Sequence, residues 1–133
     1  MARQYSTSVR NAQADAWEST IGTAAVIKIR TGSQPSTCAT ADSGTVLATF
    51  SLGSDWASAA SSGAKTLNSL PISATASATG TAGHYRIYAS DGTTCHEQGS
   101  VGTGSEDVVI DSTSITSGQT VRITAYTKTW PGA

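Results

Sequence analysis

The sequence is poor in charged residues, in aromatic residues and in long apolar runs. Charged residues make up 13% and aromatic residues 6% of its 133 residues, whereas ordinary globular proteins carry about 25% charged residues. The net charge is −1 and the eight lysines and arginines are scattered. Because phosphate binding requires clustered basic residues, we expect no nucleic-acid partner. No stretch approaches the ~20 apolar residues of a transmembrane helix, so we expect no membrane partner either.

Cysteine is also scarce, and its two copies, Cys38 and Cys95, are a candidate disulfide. A reducing cytoplasm would keep them as thiols, whereas release into an oxidising medium would allow them to pair. Their separation along the chain does not show whether they lie close together. The first residues lack the apolar segment of a secretory signal, so we expect synthesis in the cytoplasm without an export signal.

Small residues dominate the composition, because Ala, Ser, Thr and Gly form more than half of the chain. The many threonines and the short Val/Ile runs favour strands over disorder. Turn residues separate these runs every 8–12 residues or so, which is typical of a β-sandwich or small barrel. We therefore predict an all-β fold of about seven or eight short antiparallel strands with one short N-terminal helix, in a single domain over residues 1–133. The predicted strands cover residues 23–30, 45–52, 65–70, 72–79, 84–89, 94–101, 107–111 and 121–129.

Residues 1–22 carry the helix signal. Ser6, Thr7 or Ser8 could cap the helix, and Gly22 would end it. The apolar residues at helical spacing are Val9, Ala12, Ala16, Trp17 and Ile21. Two interpretations stay open: the helix packs Trp17 onto the sheet, or residues 1–22 form an arm that docks on a neighbouring subunit.

The hairpin around Asp91-Gly92 is the clearest local motif. It joins the strand at 84–89, in which Tyr85 and Ile87 alternate with polar residues, to the strand at 94–101. We expect His84 and His96 on the polar face and Cys95 turned inward. Residues 80–83 are predicted to form a turn, and residues 53–64 either a short helical turn or an exposed loop.

Motifs for catalysis are missing. The chain has neither a phosphate-binding loop nor a Gly-x-Ser-x-Gly nucleophile elbow. His84, His96, Cys95 and Glu97 make a poor metal site, because adjacent strand residues such as Cys95 and His96 point to opposite faces. A hydrolase pair of Cys38 with either histidine has no support from the local sequence. We interpret the carboxylates Glu97, Glu106, Asp107 and Asp111 as solvated strand ends. We therefore expect no catalytic residue, no metal, no cofactor and no enzyme activity, and no small-molecule ligand.

The aromatic residues allow two interpretations. Each of Trp17, Trp56 and Trp130 could fasten a terminus or a loop to the core. Alternatively, an exposed Trp56 or Tyr88 could stack on a sugar, which would make the chain a glycan- or receptor-binding module. Tyr5, Trp17 and Trp130 are the candidate subunit contacts, since they lie near the two ends of the sequence.

Three groups of residues carry a resemblance to a known family. The first comprises Arg10-Asn11-Ala12, Ile21-Gly22-Thr23, IRTG at 29–32 and Cys38 leading into ADSGTVLA at 41–48. The second comprises GTAGHYRIY at 80–88, GTTCH at 92–96 and Gln98-Gly99. The third comprises TSI at 113–115, Gly118-Gln119 and VRIT at 121–124. In these stretches the chain resembles a family of short, mostly uncharacterised structural proteins of tailed phages and prophages.

The resemblance implies a virion protein present in many copies and made in the host bacterial cytoplasm. Its first implication is an outer capsid decoration protein that stabilises the major capsid lattice, with the major capsid protein and copies of itself as partners. A tail or neck component is the alternative structural role. The resemblance supplies no catalytic residues.

Overall fold

The computed structural model describes residues 3–130, which contain one helix and ten short strands. The helix α1 spans Thr7–Ile21. The strands are β1 Val26–Thr31, β2 Val46–Ser51, β3 Ala64–Thr66, β4 Ile72–Thr75, β5 Gly80–Tyr88, β6 Cys95–Gly99, β7 Val101–Gly102, β8 Val108–Ile110, β9 Ser114–Ile115 and β10 Thr120–Thr129. Side chains from strands along the whole described range, from β1 to β10, share one hydrophobic core.

Two five-stranded sheets make up the fold. Sheet 1 has the order β2-β1-β5-β6, with β9 also paired to β5, and sheet 2 has the order β3-β10-β8-β7, with β4 also paired to β10. The predicted mostly-β, sandwich-like architecture with one helix is confirmed. The predicted strand count of seven or eight is wrong, since residues 3–130 form ten strands, and so is the expectation of purely antiparallel pairing, because β7 and β8 run parallel.

A crossing between the sheets explains part of this difference. The predicted strand at 94–101 is divided at Ser100 into β6, in sheet 1, and β7, in sheet 2. The Ser100 backbone N–H and hydroxyl both donate to the Asp107 carboxylate, at 3.1 Å each. Gly99 has no room for a side chain, because a Cβ there would lie 2.6 Å from Asp107 Oδ2. These contacts stabilise the passage of the chain from sheet 1 to sheet 2 at Ser100.

The helix begins and ends at the capping residues that the sequence predicts. The Ser6 hydroxyl accepts a hydrogen bond from the Val9 backbone N–H at 3.2 Å, and Gly22 ends the helix with a φ of 89°. The predicted apolar stripe is wrong at Val9, which is 44% exposed, and at Ala12 and Ala16, which face outward. Its other members agree with the prediction, since Ile21 is buried and Trp17 half-buried, and the further buried helix residues are Arg10 and Ala14.

Polar contacts attach this helix to sheet 2, and an apolar pattern does not detect them. Arg10 Nε donates to the Trp130 carbonyl at 3.0 Å. The Lys65 ammonium of β3, whose side chain is only 4% exposed, lies 2.9 Å from Asp15 and 2.7 Å from Glu18. Burial alone would lower the pKa of Lys65, but its hydrogen bonds with Glu18 and Asp15 raise it.

Strand β5 is longer than predicted because the expected turn at 80–83 is its first part. Gly83 lies against β1, where a Cβ would stand 2.1 Å from the Gly32 carbonyl oxygen. Glycine is therefore needed here because two backbones approach closely. The glycines that predicted a turn at 80–83 instead belong to a strand. Tyr85 and Ile87 point into the core as predicted.

Two further segments depart from their predicted conformation. Burial alternates along residues 72–79 as expected, but regular pairing stops at Thr75. Residues 53–64 form neither a helical turn nor an exposed loop around Trp56, which is buried and donates from Nε1 to the Gly22 carbonyl at 2.9 Å. The adjacent Ala57 makes an isolated bridge with Leu67.

Candidate functional site

The outer face of sheet 1 carries a buried polar cluster instead of a solvated surface. We call residues 32–45, which lie over this face, the cover loop. Its Asp42 carboxylate accepts hydrogen bonds from Arg30 at 3.0 Å, from Arg86 at 2.8 Å and from the Tyr88 hydroxyl at 2.7 Å. The side chains of Arg30 and Arg86 are 8% and 2% exposed. We call Arg30, Asp42, Arg86, Tyr88 and Gln98 the outer cluster.

The rest of the outer cluster fastens the backbone of the cover loop. Arg86 Nη2 donates to the carbonyls of Thr37 at 2.9 Å and Thr40 at 3.0 Å. Gln98 accepts from Arg86 Nε at 3.0 Å and donates from Nε2 to the Pro35 carbonyl at 2.7 Å. Two arginines from adjacent strands thus hold the loop through its carbonyls and through one carboxylate.

The pKa shifts reflect this closed network. Burial alone would raise the pKa of Asp42, but hydrogen bonds from Tyr88 and Arg86 and the charge of Arg30 lower it. Burial and the hydrogen bond to Asp42 raise the pKa of Tyr88. The pKa of Arg86 is raised by Asp42 against the opposing effect of burial. The groups therefore stabilise one another in their charged or hydrogen-bonded forms.

Both cysteines lie at the edge of the outer cluster. Cys38 of the cover loop and Cys95 at the start of β6 have their Sγ atoms 2.9 Å apart, with both thiols unbonded. The prediction that Cys95 turns inward is wrong. A bulge between Ile87 and Tyr88 places Cys95 opposite Tyr88, on the outer face. Burial, together with the contact to Cys38, raises the pKa of Cys95 to about 12.

The two histidines have different environments. His84 is 1% exposed, and its Nδ1 lies 2.9 Å from the Gly32 carbonyl, so Nδ1 carries the proton. Among residues 3–130 its Nε2 has no hydrogen-bond partner. His96, by contrast, is exposed. Within the same range no group of three or more metal-ligating side chains is found.

A second cluster lies where the helix meets the two sheets. We call Trp17, Trp56, Tyr85, Tyr126 and Trp130 the aromatic cluster. Trp17 is at its centre, with ring centroids 5.0 Å from Trp56, 6.0 Å from Tyr126 and 5.7 Å from Trp130. Tyr85 of sheet 1 meets Tyr126 of sheet 2 edge to face at 5.8 Å. The cluster therefore joins all three layers of the fold.

Glu97 is the one carboxylate inside the aromatic cluster. It accepts hydrogen bonds from Trp17 Nε1 at 3.0 Å and from the hydroxyls of Tyr85 and Tyr126. Its side chain is 10% exposed, with the Lys128 ammonium 3.7 Å away. Burial raises the pKa of both tyrosines, and the Glu97 charge raises it further.

Glu97 therefore contradicts its interpretation as a solvated strand end. The other three carboxylates of that set, Glu106, Asp107 and Asp111, cap nearby backbone or pair locally at partly exposed sites. What separates Glu97 from them is its position in the structure, opposite Ile87, a core residue, in the β5–β6 ladder, and no signal in the sequence shows this register because a bulge sets it.

The candidate contact residues separate into two groups. Trp17 and Trp130 are half-buried and make the intramolecular contacts described above, in agreement with the interpretation that tryptophans fasten the termini to the core. Tyr5 is 40% exposed. The sugar-stacking interpretation is wrong for the two residues named, because Trp56 is 3% and Tyr88 0% exposed.

Comparison with known proteins adds no relative. The chain matches no protein-family model, no curated protein and no solved structure. Across residues 3–130, no helix is long and apolar enough to cross a membrane.

Proposed function

We propose that this chain is a structural protein of a tailed-phage virion, an outer capsid decoration protein that binds the major capsid lattice, and not an enzyme. The observation that carries the proposal is the outward face of the N-terminal segment. Tyr5 and Val9 are the only exposed large hydrophobic residues in the described range 3–130. The exposed Ala12 and Ala16 lie on the same face of α1 as Val9, and Tyr5 lies just before the N-cap Ser6. We call these four residues the N-terminal face.

The N-terminal face has the chemistry of an interface centre. Interface centres are depleted of charged residues and enriched in tyrosine, and none of these four residues is charged. The alanines allow a partner to approach the helix closely. We assign this face to the major capsid protein, because the sequence resemblance implies a protein that sits on the capsid lattice.

The remaining polar groups support a rigid body rather than a reactive site. The outer cluster and the aromatic cluster use their charges and hydroxyls on partners within the chain. A protein that reinforces a lattice needs a fixed shape and a contact surface. It has no need of a nucleophile or a general base.

Binding to capsids tests the proposal directly. We would mix the purified protein with phage capsids that lack it, measure co-sedimentation, and locate the bound protein by cryo-electron microscopy. The double variant Tyr5→Ser/Val9→Ser should lose at least about tenfold in affinity, equivalent to ~1.4 kcal/mol. The matched control is Gln13→Ser, an exposed helix position outside the N-terminal face.

Each outcome has a distinct meaning. Density on the capsid lattice with contacts through the N-terminal face supports decoration. Density confined to the tail or neck keeps the virion role and replaces the capsid assignment. Absence of the protein from purified particles, with no binding to capsids, would refute the proposed function.

A further inference from the structure

We infer that Cys38 and Cys95 are a modification site: they form an intramolecular disulfide when the folded protein is oxidised, and the bond fastens the cover loop to sheet 1. The inference does not rest on the proposed function. It rests on the positions of the two sulfur atoms and on the contacts that hold them there.

The two sulfur atoms are already close. Their separation of 2.9 Å is about 0.9 Å longer than the ~2.05 Å of a disulfide bond. Residues 57 positions apart in sequence therefore meet without a large backbone movement. Two cysteines placed at random on this surface would have no reason to meet.

Contacts independent of the sulfur atoms position both residues. Cys38 lies in a turn in which the Thr40 N–H donates to the Thr37 carbonyl at 3.1 Å. The buried Arg86 guanidinium donates to the carbonyls of both those threonines. Cys95 is fixed by its place opposite Tyr88 in the β5–β6 ladder. The folded chain thus presents the pair to an oxidant in a bonding arrangement.

The oxidant we invoke is a small-molecule disulfide such as oxidised glutathione. One protein thiolate attacks this disulfide, forms a mixed disulfide and releases one small thiol. The second protein thiolate then attacks the mixed disulfide and releases the other. The protein loses two electrons and two protons, and the reagent gains both. Since the pKa of Cys95 is raised to about 12, its thiolate is scarce at neutral pH.

The bond would act on the cover loop, which lies over Arg30 and Arg86. In a reducing cytoplasm the thiols persist, and the loop is held by the outer cluster alone. In an oxidising medium the closed ring restricts the unfolded chain, so the melting temperature should rise by roughly 10 °C.

The experiment exposes the purified native protein to oxidised glutathione and measures its mass without reduction. We expect the loss of two hydrogen atoms. A non-reducing tryptic digest should then join the peptide of residues 31–65, which contains Cys38, to the peptide of residues 87–122, which contains Cys95. Thermal unfolding of oxidised and reduced protein provides the second measurement.

The Cys38→Ser/Cys95→Ser variant is the control, and its melting temperature should not respond to the oxidant. If that variant fails to fold, the parent protein alone decides. Two thiols that still react with an alkylating reagent after exposure to excess oxidant would overturn the inference. So would oxidation that stops at glutathione adducts or that links two chains.

Discussion

Replacing Arg86 by Met tests whether the outer cluster stabilises the fold. Methionine occupies the path of the arginine stem but donates no hydrogen bond. The change would remove the hydrogen bonds that Arg86 donates to Asp42, to Gln98 and to the carbonyls of Thr37 and Thr40, and Asp42 would keep Arg30 and Tyr88 as donors. Removing one partner of a buried ion pair costs about 3–5 kcal/mol. Because the Asp42 side chain is 35% exposed and water can reach it, we expect the lower end, about 3 kcal/mol.

The matched control is Arg122→Met. Arg122 also lies on a strand and pairs with an aspartate, Asp111 at 3.5 Å, but its side chain is 52% exposed. An exposed pair contributes about 0–1 kcal/mol. Urea unfolding measures both, and with a slope of about 2 kcal/mol/M the Arg86→Met midpoint should fall by roughly 1.5 M. Equal midpoints for the two variants would refute the view that the buried arginine holds the cover loop in place.

Three further predictions concern acid stability, backbone packing and the helix attachment. The lowered pKa of Asp42 means that its contribution to stability is complete above about pH 4 and is lost as the pH falls through the pKa of Asp42 in the folded protein. In a series of urea titrations at decreasing pH, Asp42→Asn should lose less stability than the parent protein. Gly83→Ala should destabilise by about 3 kcal/mol or more, since its Cβ would stand 2.1 Å from a carbonyl oxygen. Gly53→Ala, where no described atom lies within 4 Å of the added Cβ, should stay within about 0.5 kcal/mol by the same assay. Lys65→Met should lower the free energy of unfolding by about 1–2 kcal/mol, less than for a fully buried ion pair because one of its two helix carboxylates, Asp15, is exposed. Circular dichroism should report the weakened helix, and an unchanged free energy of unfolding would contradict a polar attachment of the helix.

Local signals in the sequence predicted the local structure well. A hydroxyl residue before the helix and a glycine after it gave the helix bounds, because caps depend on neighbouring residues only. The Asp91-Gly92 pair predicted the hairpin, in which Asp91 accepts from the backbone N–H groups of Thr93 and Thr94. The alternation along 72–79 predicted its burial.

Features that depend on distant residues escaped prediction. A polar residue such as Arg86 on one face of a strand gives the same pattern whether water or a loop covers it. The cover loop has the composition of a surface segment and shows no sign that Asp42 meets two arginines. One bulge reversed the orientation of Cys95, since the extra residue His96 breaks the alternation of side chains between Glu97 and Cys95. The sequence therefore identified Cys38 and Cys95 as a candidate pair but could not show that they meet.

Strand β10 has a consequence for the order in which the fold can be made. It is the last of the ten strands in residues 3–130, yet it pairs with β4 along its first residues, with β8 in its middle and with β3 along its last. Sheet 2 therefore has no central strand until β10 has left the ribosome, and until then the apolar face of sheet 1 lacks its cover. Such long-range pairing slows folding and leaves aggregation-prone apolar surface exposed in the meantime. Assembly of the sandwich thus waits for the synthesis of β10, even though sheet 1 is encoded almost entirely before residue 100.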